Sequence, residues 1–521
     1  MRRPGRWMIM ALVVAQSGCA ADHSVETEAI GRLPGAPVPT LPQTDPDGTE
    51  SSGTEPPTEP TEPTAPPSTT VPNVSTTDPP DVDSELGLGD EMFPELGAPA
   101  VDVVSYDVRL DVDADAGAFE GVVGVVADVE LGVRFLALDA QQLDIASVDV
   151  GADAAEFELI GDELVIGLPE ERDERVTASI AYAAAPNDVY SEAGLPAGWF
   201  QTSSGSYVLN EPDGARRWMP ANDHPSDKAT WRFEITVPGD ETVSANGELT
   251  QRGSAGTPWI WEMDEPMSTY LVQLVIGDYE LVDSEPIPSI DGGTIPMLNL
   301  APTDLVDDLP PMLEETARQV AFFEERFGPY PLAGYGLAFV DSTPGLAMET
   351  QGRSMFDAGD FRREQLGYLQ RLLLAHELAH QWFGNAVSPA TWSDIWLNES
   401  FATYSQWLWL DEVGVDTLDR LAGDALSQRQ NGVHSTGDPV VENLFGFESY
   451  DGGAVIVHAL RLTIGEDAFF DLLRRWIFDN VGTSQATAEF IELAEEVAGV
   501  DLQTFFDEWL YATDLPDDYP A

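Results

Sequence analysis

Between residues 104 and 112 apolar and polar side chains alternate, with Val104, Tyr106, Val108, Leu110 and Val112 set against Ser105, Asp107, Arg109 and Asp111. That is the period of a strand with one buried face. Similar segments recur at 121–130, 133–138, 143–150, 156–166 and 175–182, separated by glycine and aspartate. A second batch covers 207–209, 230–237, 242–248, 259–262 and 269–276, and a short strand at 294–300 opens a new region. Many short strands with turn residues between them predict an antiparallel β-sandwich or saddle. After Leu309 the spacing becomes helical, at 311–327, 362–383, 394–413, 418–430, 454–462, 467–480, 486–498 and 501–511. The pattern predicts an α+β chain with two folded domains, a β domain at 98–282 and a mostly helical one at 283–521.

The residues before them read differently. Arg2, Arg3 and Arg6 precede the apolar run 7–15, which is too short for a stable membrane span and has the form of an export signal at 1–19. Ser17-Gly18-Cys19-Ala20 resembles a bacterial lipoprotein cleavage box, with Gln16 where such boxes carry an aliphatic residue. The expectation is an exported protein anchored at the cell surface by a lipid on Cys19, or otherwise secreted. From 20 to 97 the chain is rich in Pro, Thr, Ser, Gly and acids, including Pro57-Thr58-Glu59-Pro60-Thr61-Glu62-Pro63-Thr64. So few large apolar residues cannot bury a core, and the segment is expected to be a disordered tether.

Charge narrows the possible partners. Ninety-two acids against 24 bases give a formal net charge of −68, and Lys228 is the only lysine. Such a field excludes nucleic acid and leaves the membrane only through the lipid at Cys19. Cys19 is also the only cysteine, so neither an intrachain disulfide nor a cysteine-based metal site is available.

The chemistry centres on His376-Glu377-Leu378-Ala379-His380, inside an otherwise apolar helical run. Histidines four apart on a helix face the same way, so both imidazoles can reach one cation, and Glu377 can take a proton from a water activated there. Buried histidines and glutamate need partners, and a metal satisfies all three. Zinc suits two imidazoles plus one carboxylate with a fourth position open, and Glu399, nineteen positions after His380, is the candidate third ligand. One zinc ion per chain is expected, on His376, His380 and Glu399.

These spacings, with Glu399 inside Trp396-Leu397-Asn398-Glu399-Ser400-Phe401-Ala402, resemble the gluzincin aminopeptidases of the aminopeptidase N and leukotriene hydrolase family. Further matches follow in the family's order at 214–218, 225–230, 322–328 and 509–511. The resemblance runs from about Val101 to the end. It implies a thermolysin-like zinc catalytic domain and a bacterial short form without the family's large helical C-terminal domain.

It also implies roles for further residues. Gly345-Leu346-Ala347-Met348-Glu349-Thr350 is similar to the family's Gly-Ala-Met-Glu-Asn strand, with Leu346 for Gly and Thr350 for Asn. Glu349 would then bind the substrate's free α-amino group, with Ala347 and Met348 as substrate contacts. Glu211 corresponds to a second amine-binding acid, and Leu209 stands where the family has Gln. Tyr450, in Tyr450-Asp451-Gly452-Gly453-Ala454, resembles the family's oxyanion-binding tyrosine, with Gly452 for Lys. The implied activity is hydrolysis of the N-terminal bond of peptides that carry a free N-terminus. Two other readings are a thermolysin-like endopeptidase, or other zinc hydrolase, on the same ligands, and a non-catalytic surface binding protein. A scaffold has no need of Glu377, and an endopeptidase has no need of Glu349.

Overall fold

The computed structural model describes residues 86–113, 117–341, 343, 347–363, 365–430 and 432–520. The export signal, Cys19 and the tether as far as residue 85 lie outside the described residues. The tether's last residues do not. Met92, Phe93 and Leu96 are buried in the β-domain core, and Asp90 accepts from the N–H groups of Met92 (2.7 Å) and Phe93 (3.2 Å). Residues 86–97 are therefore part of the folded body, contrary to the expectation of a tether up to 97. Three large apolar side chains close together are enough to bury what the proline-rich repeats before them cannot.

The central strand of the β domain is Val101–Asp113, antiparallel to Ala118–Val129 and parallel to Lys228–Thr236. In that register Val108 faces Val123 on one side and Phe233 on the other. Alternation then sends Tyr106, Val108, Leu110 and Val112 into the core. These strands are the middle of an eight-stranded sheet. A five-stranded sheet runs in the order Thr242–Ala245, Leu274–Gly277, Gly205–Leu209, Pro196–Thr202 and Asn187–Tyr190. Three expected strands break where the chain turns. The segment 156–166 becomes a hairpin with Gly161 at positive φ, 242–248 divides around Gly247, and 269–276 begins as a 3-10 turn.

A four-stranded sheet, Glu280–Pro288, Thr294–Ala301, Leu337–Val340 and Ser354–Asp357, opens the helical part. The helices that matter for the site are α1 (Leu309–Phe327), α2 (Ala358–Phe361), α3 (Tyr368–Ala379), α4 (Trp396–Glu412), α5 (Leu418–Arg429) and α6 (Asp451–Ile464). α3 is shorter than the expected 362–383. Gly367 takes an extended conformation ahead of it, its N–H bonded to Gln370 Oε1 (2.9 Å), and Arg362 is drawn away to Asp304 and Asp341. α3 and α4 pack as the centre of a second core that includes Leu372, Leu378, Trp396, Phe401 and Trp409. Among the described residues no helix is long and apolar enough to cross a membrane.

Candidate active site

α3 brings His376, Glu377 and His380 to one cavity, and the first turn of α4 brings Glu399 against them. The eighteen residues between His380 and Glu399 make a tight return through the strand Val387–Pro389 and a 3-10 turn at Trp392–Asp394. Gly384 lies on that return at φ +113°, and a Cβ there would meet Asn398 Nδ2 at 3.0 Å, beside Glu399. Only glycine takes that backbone conformation freely while letting α4 approach so closely.

His376 Nε2 lies 3.0 Å from His380 Nε2 and 3.2 Å from Glu399 Oε2, which is 3.4 Å from His380 Nε2. Ligands at the ~2.0–2.1 Å zinc distance, at the corners of one tetrahedron, stand about 3.3 Å apart, so the three atoms fit a single such cation. His380 Nδ1 donates to the carbonyl of Phe383 (3.0 Å), which turns Nε2 toward the cavity. Gln406 of α4 stands beside His376.

Glu349 arrives from the sheet. The bridge between Met348 and Met355, bonded in both directions at 2.9 and 2.7 Å, folds residues 348–355 back on themselves, with Gly352 at φ +75° in the turn. Gln381 and Asn385 donate to the Glu349 carbonyl at 3.1 and 2.7 Å, tying this edge to the end of α3. Glu211 comes from the β domain on a turn held by Asn210, which donates to the Val272 carbonyl (2.8 Å) and accepts from Trp218 Nε1 (2.9 Å). Tyr450 immediately precedes α6, its ring stacked near His376 at 5.9 Å. Gly453 lets α6 sit against α4, since a Cβ there would collide with Ser400 Oγ.

All nine residues singled out from sequence line this one cavity: Glu211, Ala347, Met348, Glu349, His376, Glu377, His380, Glu399 and Tyr450. Leu195, Pro196 and Leu209 are the other described residues of the lining, and among the described residues no lysine or arginine contributes to it. Leu195 and Pro196 went unnoticed in the sequence because an apolar pair beside a strand carries no chemical signal.

The electrostatics follow from that imbalance. Burial, reinforced by neighbouring carboxylates, pushes Glu211 and Glu377 well above the usual carboxylate range and raises Glu349. Burial works the same way on Glu399, but the two histidines outweigh it and hold this acid down at about 2. His380 is driven by Glu349 and Glu399 up to about 10 against its own desolvation, while burial lowers His376. Burial and the surrounding acids keep Tyr450 a neutral phenol. Glu211 Oε1 and Glu349 Oε1 are buried without a hydrogen-bond partner among the described residues. The cavity is short of positive charge, and a divalent cation on the His-His-Glu set fits it.

Comparison with known proteins agrees with this geometry. The Peptidase M1 N-terminal domain matches residues 103–271, and the Peptidase family M1 domain matches 312–509, which contain the ligand set. The chain belongs to the M1 peptidase family. Among M1 relatives, aminopeptidase M1-A of Oryza sativa subsp. japonica is 28% identical over 472 residues, covering 82% of this chain and 51% of that protein. Aminopeptidase N of Streptomyces lividans is 27% identical over 441 residues, covering 78% and 50%. The chain thus spans about half the length of the curated relatives it matches. The crystal structure of an M1 zinc metallopeptidase from Deinococcus radiodurans has a TM-score of 0.76 at 27% identity, covering 84% of this chain and 99% of that one. A mutant of that enzyme was solved bound to a Tyr-Ser-Ala substrate. The α+β architecture, β-rich then helical, is that of the M1 fold.

Proposed function

We propose that this chain is a zinc-dependent aminopeptidase that hydrolyses the N-terminal bond of peptides, with one zinc ion held by His376 Nε2, His380 Nε2 and Glu399. One observation carries the reading: a three-donor metal set shares a cavity with two buried glutamates, Glu211 and Glu349, each with a carboxylate oxygen that has no hydrogen-bond partner among the described residues. Bound zinc supplies Lewis acidity, polarising the scissile carbonyl and making a water acidic near neutral pH.

The side chains do the rest. Glu377, between the two histidine ligands, receives the proton of the attacking water and can return it to the leaving amine. Tyr450 donates a hydrogen bond to the carbonyl oxygen as negative charge gathers on it. Glu349 and Glu211 pair with the substrate's ammonium and so fix which carbonyl lies opposite Glu377. That makes the enzyme remove single residues from a free N-terminus. An endopeptidase on the same ligands would have no use for two uncompensated acids there. The apolar remainder of the lining, Leu195, Pro196, Leu209, Ala347 and Met348, favours an uncharged, apolar first side chain.

Metal analysis alongside kinetics on aminoacyl reporter amides tests this reading. Glu377→Gln is expected to keep one zinc per chain and lose turnover. A zinc-bound wild type that cleaves no peptide would instead support a binding protein on this fold. Export, with a lipid on Cys19, belongs to the same proposal and rests on the basic and apolar order of residues 2–15. Cys19→Ala should release the protein from the membrane fraction, and an unchanged distribution would leave ordinary secretion.

A further inference from the structure

Lys228, the only lysine in the chain, has no part in the chemistry proposed above. It opens the strand Lys228–Thr236 in the β domain, yet its ammonium points into the loop that follows α3. Nζ donates to the carbonyl of Asn385 at 2.7 Å, to Ser388 Oγ at 3.0 Å and, at the limit of a hydrogen bond, to the carbonyl of Ala386 at 3.5 Å. All three partners are uncharged oxygens, and burial lowers the lysine's pKa to about 7. A half-buried ammonium that meets only uncharged acceptors is a costly way to fasten two domains. Tyr270 and Ser268 of the β domain already reach the same loop, at Gly384 O (3.0 Å) and Ser388 Oγ (3.3 Å), without charge.

What sets Lys228 apart is the residue it holds. Asn385 is wholly buried, and its groups point three ways. Its carbonyl accepts from Lys228, its N–H donates to the carbonyl of His380 (3.0 Å), and its Nδ2 donates to the carbonyl of Glu349 (2.7 Å). One residue thus joins a β-domain cation and a metal ligand, through its backbone, to the acid assigned to the substrate's amine, through its side chain.

We propose that Lys228 is a positioning residue for Glu349: through Asn385 it fixes the backbone of the amine anchor, so that the β domain sets where the substrate's ammonium sits relative to the reacting carbonyl. The inference rests on the aminopeptidase reading above. A lysine suits the task because charge-assisted bonds are stronger than neutral ones and its long stem spans the interface.

The test compares a free-amine aminoacyl amide with its N-acetylated counterpart in wild type, Lys228→Met, Asn385→Ala and the double variant, with zinc content and thermal midpoint measured on each. Lys228→Met is expected to keep one zinc, raise KM for the free-amine substrate about ten-fold with kcat changed by less than about three-fold, and lower the free-amine preference about ten-fold. Asn385→Ala should do the same, and the double variant should be no worse than the poorer single one, because both act on one link. Should Lys228→Met fail to fold, Asn385→Ala and Lys228→Gln carry the test. A folded variant that is less stable yet keeps the wild-type preference would overturn the proposal and make Lys228 simple fastening, as would additive losses in the double variant. A wild type with no activity on free amines would sink the aminopeptidase reading itself, and this inference with it.

Discussion

In the β domain Asp139, Asp213, Asp223 and Asp227 lie as deep as the four glutamates around α3, but the two groups of acids are balanced differently. Asp139 accepts from the N–H of Asp223 at 2.7 Å, and Asp213 from both Arg216 and Arg217 at 2.7 Å. Asp223 accepts from Thr269 Oγ1 (2.6 Å) and the Arg216 N–H (2.9 Å), and Asp227 from Asn222 and the N–H of Val103 (3.0 Å). Around α3, among the described residues, the histidines hydrogen-bond Glu399, while Glu211 Oε1 and Glu349 Oε1 have no hydrogen-bond partner. Burying an ion costs several kcal/mol unless something pairs with it. Each of these β-domain acids accepts at least one hydrogen bond from the protein, although Asp213 Oδ1 and Asp227 Oδ1 have no partner among the described residues, whereas the cavity draws its compensation from a metal and a substrate. Burial of charge alone does not mark a functional site; buried acids gathered in one cavity around a metal-ligand set do.

The largest expected contrast between the two clusters is in catalysis. Removing His376, His380 or Glu399 should abolish zinc binding and activity together, because each supplies a ligand. Asp139→Asn should lose stability while keeping the metal, and full zinc occupancy in Glu399→Ala would break the comparison. Tyr450→Phe should lower kcat by about two to three orders of magnitude with KM little changed, as for one lost oxyanion donor. An effect confined to KM would make Tyr450 a binding residue.

Stability should respond the other way round. Asp213→Asn leaves Arg216 and Arg217 without their shared carboxylate and should cost about 3 kcal/mol in urea unfolding. Glu211→Gln, which removes an uncompensated buried acid, should leave stability unchanged or raise it. Smallest is a pH effect inside the β cluster. Burial pushes Asp139 up to about 6, and burial together with Asp139 pushes Glu163 up to about 9. Both folded values exceed the ordinary values of 3.8 and 4.5, so the stability this pair contributes is fully present below about pH 4 and is lost as pH rises from there to about 9. Glu163→Gln should flatten that decline by about 3 °C in thermal midpoint, measured against wild type across the same range.

How far the sequence reveals these two clusters differs as well. The metal set was legible because helical spacing alone puts His376 and His380 on one face, and a turn of suitable length brings Glu399 back. Glu349, Glu211 and Tyr450 could be read only through family resemblance, since each reaches the cavity by a fold-back, a turn or a helix start that no local period predicts. The β-domain acids gave no signal at all, because in sequence Asp139 and Asp223 are ordinary turn residues and their donors, the N–H groups of Asp223 and Arg216, lie in a loop and a 3-10 turn that no local period predicts. Lys228 was visible as a rarity, but its partner Asn385 emerges only when two domains meet. Single strands and helices were recovered where periodicity ran unbroken and lost where a glycine turned the chain, as at Gly161 and Gly367.

The free amine offers the most direct test of the account. A charge-assisted pair in a dry cavity is worth a few kcal/mol, and every 1.4 kcal/mol is a factor of ten. N-acetylation of a good substrate should therefore lower kcat/KM at least ~10²-fold in the wild type. Glu349→Ala should lose activity on free amines while narrowing their advantage, with peptides otherwise shortened one residue at a time from the N-terminus. Internal cleavage of blocked peptides as fast as of free ones would contradict the account, leaving Glu349 without an ammonium to hold.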